Sequence, residues 1–320
     1  MTIIFTLSSI LATAMPLAQL APPPAQEAPA ARAVTFHPSS PVQGSVVLVR
    51  LQAEPIDSMA GASLDMLLNV SGTLAGEPLH FTPDSGGTWT ALGGLPIDAT
   101  GAVDVPVLVE YASGRVDTVA AELPVAAGQY AMEKLTVAPR FGSPPDSALA
   151  ARMARESARA RAVSQQSHST PKMWDSTWIR PRDTRITSGF GHGREFNGRV
   201  QSRHMGVDFA GAVGTPIRAA NRGVVALVDE FYLGGNVIYI DHGAGVVTAY
   251  LHLSQHEVAQ GDTVERGQII GRVGATGRVT GPHLHWIARY GGITVNPLSL
   301  TELPPLTAAQ AEQPDAPKSR

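Results

Sequence analysis

Short apolar runs, cut again and again by glycine and proline, leave this chain little choice but β structure. There are 32 glycines and 25 prolines in 320 residues. Between them lie runs such as Val46-Val47-Leu48-Val49-Arg50-Leu51, Leu67-Leu68-Asn69-Val70 and Val105-Pro106-Val107-Leu108-Val109. Further on come Asn236-Val237-Ile238-Tyr239-Ile240 and Gly245-Val246-Val247-Thr248-Ala249-Tyr250. Each is too short for a helix and rich in β-branched residues. Turn signals such as Asp84-Ser85-Gly86-Gly87 and Ser113-Gly114 separate the early runs. One stretch breaks the pattern: residues 146–167, rich in Ala, Arg and Glu, follow Pro144-Pro145 and read as a helix.

The expected fold is therefore mostly β, in consecutive parts. Residues 34–140 suggest an N-terminal β-sandwich of immunoglobulin-like type. Residues 141–177 form a helical linker, and residues 178–300 an antiparallel, strongly curved sheet. Arg152, Arg155, Arg159 and Arg161 make the helix basic. A solvated connector explains them more simply than a strap over an anionic polymer. The ends differ in character. Residues 1–18 resemble the apolar centre of a signal peptide, although no Lys or Arg precedes it, and the run is too short for a membrane span. Residues 19–33 read as a flexible linker and residues 301–320 as a disordered tail. The mature chain is thus expected to be exported, periplasmic or secreted, with no integral membrane span.

Composition narrows the chemistry. A formal charge of −3, with 16% charged residues, gives no footprint for nucleic acid. There is no cysteine, so any metal must be held by His, Asp or Glu. The stretch His283-Leu284-His285-Trp286 suits a strand, in which His283 and His285 share one face while Leu284 and Trp286 enter a core. Upstream, His204 and Asp208 flank Gly206 and can converge on one ion. A hydrolytic zinc site needs three protein ligands and an open position. His204, Asp208 and one histidine of the 283/285 pair would supply them. The other histidine and His252 would then handle protons beside the metal.

Alternation along 246–253 places Val247, Ala249, Leu251 and Leu253 on one face, and Thr248, Tyr250 and His252 on the other. Tyr250 either orients His252 or hydrogen-bonds substrate, or it simply packs. Arg194 and Asn197 are candidate substrate contacts. His242 reads as a structural residue in a hairpin turn, His192 and His256 as exposed loop residues, and His37 and His80 as isolated.

As a set, these motifs resemble the lysostaphin-like (LytM-type) zinc endopeptidases of bacterial cell walls. The resemblance rests on His204-x-x-x-Asp208, on Tyr250-Leu251-His252-Leu253, and on Gly274-Ala275-Thr276-Gly277-Arg278-Val279-Thr280-Gly281-Pro282-His283-Leu284-His285. It spans roughly residues 180–298. It implies that His204, Asp208 and His285 bind Zn2+ and that His252 and His283 are the catalytic histidines. It also implies a peptidoglycan peptide as substrate and a groove over an antiparallel sheet. Many relatives carry Phe-Glu after the last histidine, where this chain has Trp286-Ile287. Some have lost ligands and only regulate other hydrolases; here the set is complete. The N-terminal β module leaves room for a regulatory protein partner. The segment 261–270 also resembles a biotinyl or lipoyl carrier hairpin, but no lysine lies between Lys172 and Lys318 to be modified.

Overall fold

The computed structural model describes residues 33–52, 66–84, 86–141, 144–175, 177–198 and 200–305. The signal-peptide and tail expectations fall almost wholly outside these residues.

The first part is a pair of four-stranded antiparallel sheets. Its strands are β1 (Val34–His37), β2 (Val46–Gln52), β3 (Leu67–Leu74), β4 (Glu77–Pro78), β5 (Thr82–Pro83), β6 (Thr88–Gly94), β7 (Ala102–Tyr111) and β8 (Val116–Pro124). One sheet runs β1-β2-β6-β5 and the other β4-β3-β7-β8. They enclose Val47, Val49, Leu51, Val105, Val107 and Val109. The β2 sequence is apolar at successive positions because both of its faces are buried. Val46 and Leu48 point the other way, into a core shared with Trp174, Trp178 and Tyr290. Gly94 permits this contact: a Cβ there would lie 2.8 Å from Tyr290 Cβ.

After the sandwich come β9 (Met132–Leu135) and α1 (Ser147–Gln166). Asp146 caps α1, its carboxylate accepting from Leu149 N at 2.8 Å. Ala160 packs the helix onto Leu227, Phe231, Val237, Tyr239 and Leu251. The helix is thus a packed cover for one face of the second sheet rather than a solvated connector. Two of its arginines pair, Arg152 with Glu156 on the helix itself and Arg159 with Asp229 of the second sheet.

The remaining strands are β10 (Ile186–Ser188), β11 (Gly193–Phe196), β12 (Val200–Arg203), β13 (Val207–Ala210), β14 (Pro216–Arg218), β15 (Gly223–Phe231) and β16 (Gly235–Gly243). Then follow β17 (Val246–His256), β18 (Thr263–Val264), β19 (Ile269–Val273), β20 (His283–Tyr290), β21 (Ile293–Val295) and a short α2 (Leu298–Thr301). The main sheet runs β10-β13-β20-β17-β16-β15-β18, with β14, β19 and β21 attached to its members. The packed chain continues past 300, where Leu303 is buried in the same core. Beside this sheet, β12-β11-β9 make a small one in which β9 pairs in parallel with β11. Among the described residues no helix is long and apolar enough to cross a membrane.

The alternation expected along β17 fails at one point. Leu251 and His252 together oppose the single residue Val237, and His252 has φ of 65°. This bulge inserts one residue and reverses the faces beyond it. Leu253 therefore joins Tyr250 in the main core, while Val247, Ala249 and Leu251 meet α1. The bulge sits where β17 exchanges its neighbour β20, last paired at Leu251, for β19, first paired at Leu253.

Candidate metal centre and groove

Three ligand-type atoms converge at the edge of this sheet. In the antiparallel pair β13·β20, Asp208 lies directly opposite His285, so both side chains leave the same face. On the other face Leu284 and Trp286 are fully buried, as the alternation predicts. His204 reaches in from the loop before β13. His204 Nε2 is 3.0 Å from Asp208 Oδ1 and 3.0 Å from His285 Nδ1, and those two are 2.7 Å apart. All three residues are buried.

The donors around this triangle fit a metal. His204 Nδ1 lies 2.7 Å from Gly189 O, and a carbonyl only accepts, so Nδ1 carries the proton and Nε2 offers a lone pair. The Asp208 carboxylate and His285 Nδ1 face the same point. Three electron-pair donors in mutual contact are satisfied by a cation, and two imidazoles with one carboxylate match a hydrolytic zinc set. Ligands of a tetrahedral zinc sit about 3.3 Å apart, a few tenths of an ångström wider than this triangle.

Electrostatics keep these donors ready. Burial would raise the Asp208 pKa, but His204 and His285, whenever they carry a proton facing it, hold it well below the usual carboxylate range through hydrogen bonds and charge. Burial pushes His285 down to about 4 despite Asp208 beside it. Its imidazole is neutral at pH 7, as a ligand must be.

A polar shell braces the triangle. Arg194 donates to Asp208 Oδ2 at 2.6 Å and to Ser188 Oγ at 2.9 Å. Ser188 Oγ also lies 3.0 Å from His204 Nδ1. Glu133, on β9, accepts from Ser188 at 2.8 Å and from Arg194 Nε at 3.1 Å, and lies 2.8 Å from His192 Nδ1. Those contacts outweigh the burial that would raise the Glu133 pKa, and lower it. The strand that leaves the sandwich thus supplies the base of the shell.

The remaining two histidines stand beside the triangle. The His252 and His283 ring centroids are 4.9 Å apart, and His252 is 5.9 Å from His285. His252 Nδ1 lies 2.8 Å from Thr276 O, and His283 Nδ1 lies 2.8 Å from Gly281 O. Each Nδ1 therefore donates to a carbonyl and leaves Nε2 bare. His283 Nε2 is 3.7 Å from Asp208 Oδ1. Burial, and then His283 and His285, push the His252 pKa well below 6.5. A groove of about 350 Å3 opens here, lined by Glu133, Arg194, Asp208, His252, Arg278 and His283 among others.

All five residues expected from the sequence, His204, Asp208, His252, His283 and His285, are brought together. Several neighbours differ from expectation. Arg194 grips Asp208. Asn197, with φ of 51°, bonds both the N and the O of Val137 at 2.9 and 3.0 Å. Tyr250 is buried and its hydroxyl accepts from Ala220 N at 2.8 Å, so it packs in the core. His242 is structural as expected, but it lies within β16, 2.7 Å from Arg222 O and 2.8 Å from Thr248 Oγ1. His192 and His256 are half-buried, and His80 is not isolated, lying 2.8 Å from His168 Nδ1. The stretch Ser188-Gly189-Phe190-Gly191 also resembles the family, but no role follows from it for Ser188; Glu133 lies outside the motifs, and only the parallel pairing of β9 with β11 delivers it.

Residues 202–297 match Peptidase family M23. This chain carries a peptidase family M23 domain. The curated relatives it resembles include the DD-carboxypeptidase/endopeptidase Mpg of Neisseria meningitidis, 43% identical over 141 residues, which are 42% of this chain and 33% of that protein. The peptidoglycan DD-endopeptidase ShyC of Vibrio cholerae is 43% identical over 122 residues, 38% of this chain and 28% of that protein. The matches thus span about a third of those relatives' length. A Pseudomonas aeruginosa crystal structure described as a peptidase M23 is similar over 82% of this chain and 95% of that one, with TM-score 0.61 and 26% identity. That likeness extends beyond the M23 domain into the N-terminal part.

Proposed function

We propose that this chain is a zinc-dependent endopeptidase that hydrolyses peptide bonds in peptidoglycan stem peptides or crosslinks. One observation carries the reading. His204 Nε2, Asp208 Oδ1 and His285 Nδ1 converge within 3.0 Å of one another, beside two histidines whose Nε2 atoms are bare. The matched relatives named as peptidoglycan endopeptidases supply the substrate class.

His204, Asp208 and His285 would hold the ion. Bound there, zinc supplies Lewis-acid polarisation of a scissile carbonyl and lowers the pKa of a water. The chain's own residues do the rest. His252, neutral at pH 7, accepts the proton of the attacking water at Nε2, and the Thr276 carbonyl keeps the ring turned for it. His283, its ring centroid 4.9 Å from that of His252, presents a second bare Nε2 beside it. As imidazolium, either ring stabilises the developing oxyanion and returns its proton to the leaving amine. Arg194 pins the second oxygen of Asp208, and Glu133 pins Arg194, so the carboxylate stays ionised and fixed.

The organisation follows from that role. Residues 1–18 act as an export signal, 34–140 as a β module and 178–300 as the peptidase, joined by 141–177. The mature chain works outside the cytoplasmic membrane, in periplasm or released. Digestion of purified peptidoglycan by the full mature chain, read by mass spectrometry of the muropeptides, tests the proposal. Loss of crosslinked species that stops on chelation and resumes on zinc addition supports it. Zinc uptake without cleavage would instead make the chain a non-catalytic regulator of other wall hydrolases.

A further inference from the structure

Two cations that line the groove, Arg185 and Arg278, have no acid bonded to them among the described residues; Arg185 is exposed, whereas Arg278 is half-buried. Arg278 lines the main groove together with Asp208, His252 and His283. It also lines a second cavity, which touches His204, His252 and His285. It therefore borders both of the spaces that open beside the centre. Its guanidinium lies over the Phe196 ring, 4.0 Å from the centroid. Its backbone N donates to Leu233 O at 2.9 Å. The preceding Gly277 has φ of 75°, and a Cβ there would lie 2.4 Å from Gly235 N. The turn and the ring thus fix where the side chain starts and the plane in which it lies.

What the guanidinium lacks is an acid. The groove's two carboxylates, Glu133 and Asp208, are both engaged by Arg194. Among the described residues, no carboxylate or carbonyl bonds the Arg278 side chain. Burial and the neighbouring Arg194 both lower its pKa, so the surroundings disfavour this charge. A half-buried guanidinium in such a place gains from an incoming anion, and its planar fork matches a carboxylate through two parallel N–H···O bonds. A residue meant only to stack on Phe196 would not need to face the groove from both cavities.

We infer that Arg278 is a specificity-determining residue that binds a free carboxylate on the substrate peptide close to the bond that is cut. The inference rests on the endopeptidase reading above and deepens it. It makes the enzyme selective for an acidic peptide over the same peptide with that carboxyl amidated.

The test uses a matched pair of synthetic crosslinked peptides, one with the carboxylate beside the scissile bond free and one with it as a primary amide. The full mature chain and Arg278→Gln are compared by kcat/KM on both, and the same peptides are titrated into both proteins by calorimetry. Melting temperatures establish that the variant folds. The native chain is expected to favour the acid at least about tenfold, as charge-assisted bonds imply. R278Q is expected to bring the ratio within about twofold through loss on the acid peptide. Arg278→Lys, with a point charge in place of the fork, is expected to recover part of the preference. Equal handling of both peptides by the native chain overturns the inference, as does a preference that survives in R278Q. If neither peptide is cut but the acid binds more tightly through Arg278, the endopeptidase reading fails while this one holds. If neither peptide binds, this one fails.

Discussion

Replacing Gly206 by Ala would disturb the metal centre without touching a ligand. Gly206 lies between His204 and Asp208, where the chain passes close under β20. A Cβ built there lies 2.5 Å from His285 Cε1 and 2.6 Å from the Trp286 carbonyl oxygen. Ordinary contact begins at 3.4 Å, so the overlap with the imidazole is about 0.9 Å. The carbonyl cannot yield, because it belongs to a strand paired on both sides. Either the ring swings or β13 parts from β20, and both move His285 Nδ1 by several tenths of an ångström. Metal sites tolerate ligand displacements of about 0.2 Å. Zinc affinity in G206A should fall at least 10–100-fold, as for losses of supporting contacts. Activity at saturating zinc should fall about 100-fold from misplacement alone. Overpacking should cost about 1–3 kcal/mol of stability, leaving a folded chain. Competition against a chromophoric chelator gives the affinity, and circular dichroism confirms the fold. A G206A protein that binds zinc and cleaves within twofold of the native chain would refute the reasoning.

Other consequences are as direct. Arg194→Gln removes the guanidinium from Asp208 Oδ2, 2.6 Å away; zinc affinity should drop about 10–100-fold, measured by the same competition. His252→Ala should keep zinc near one per chain while kcat falls about 10²–10⁴-fold, which metal analysis and a cleavage assay read separately. His242 gives a pH signature. Burial holds its folded pKa down at about 4 against the ordinary 6.5, so the unfolded chain takes up this proton first. Its contribution to stability is complete above about pH 6.5 and is lost as pH falls towards 4, amounting to about 3 kcal/mol. Denaturant titrations between pH 7 and 4 should show His242→Gln losing less stability on acidification than the native chain; parallel curves would contradict this.

Much of the fold and most of the site were legible because period-two patterning survives where a strand is regular. In β20, His283 and His285 part from Leu284 and Trp286 as the pattern requires. The helix 146–167 was visible from its Ala-, Arg- and Glu-rich composition and the Pro144-Pro145 before it. Legibility ended where the backbone left its regular path. The bulge at Leu251-His252 flips Leu253 to the opposite face, and no residue type in Tyr-Leu-His-Leu announces it. Arg194 and Asn197 carry polar ends suited to substrate, yet Arg194 is bound to Asp208 and Asn197 to Val137. Those partners depend on long-range placement. Glu133 is the clearest case: it lies 71 residues from His204 and reaches the centre only because β9 adds to β11 in parallel. Local patterning carries no record of that pairing.

Everything in this mechanism turns on one ion and the three side chains that would hold it. Crystals of the full mature chain grown with zinc, with anomalous differences collected at the zinc edge, test that arrangement most directly. One strong peak is expected about 2.0–2.2 Å from His204 Nε2, Asp208 Oδ1 and His285 Nδ1, with the Nε2 atoms of His252 and His283 facing its open side. A peak ligated by His252 or His283, or none at this triangle, would contradict it.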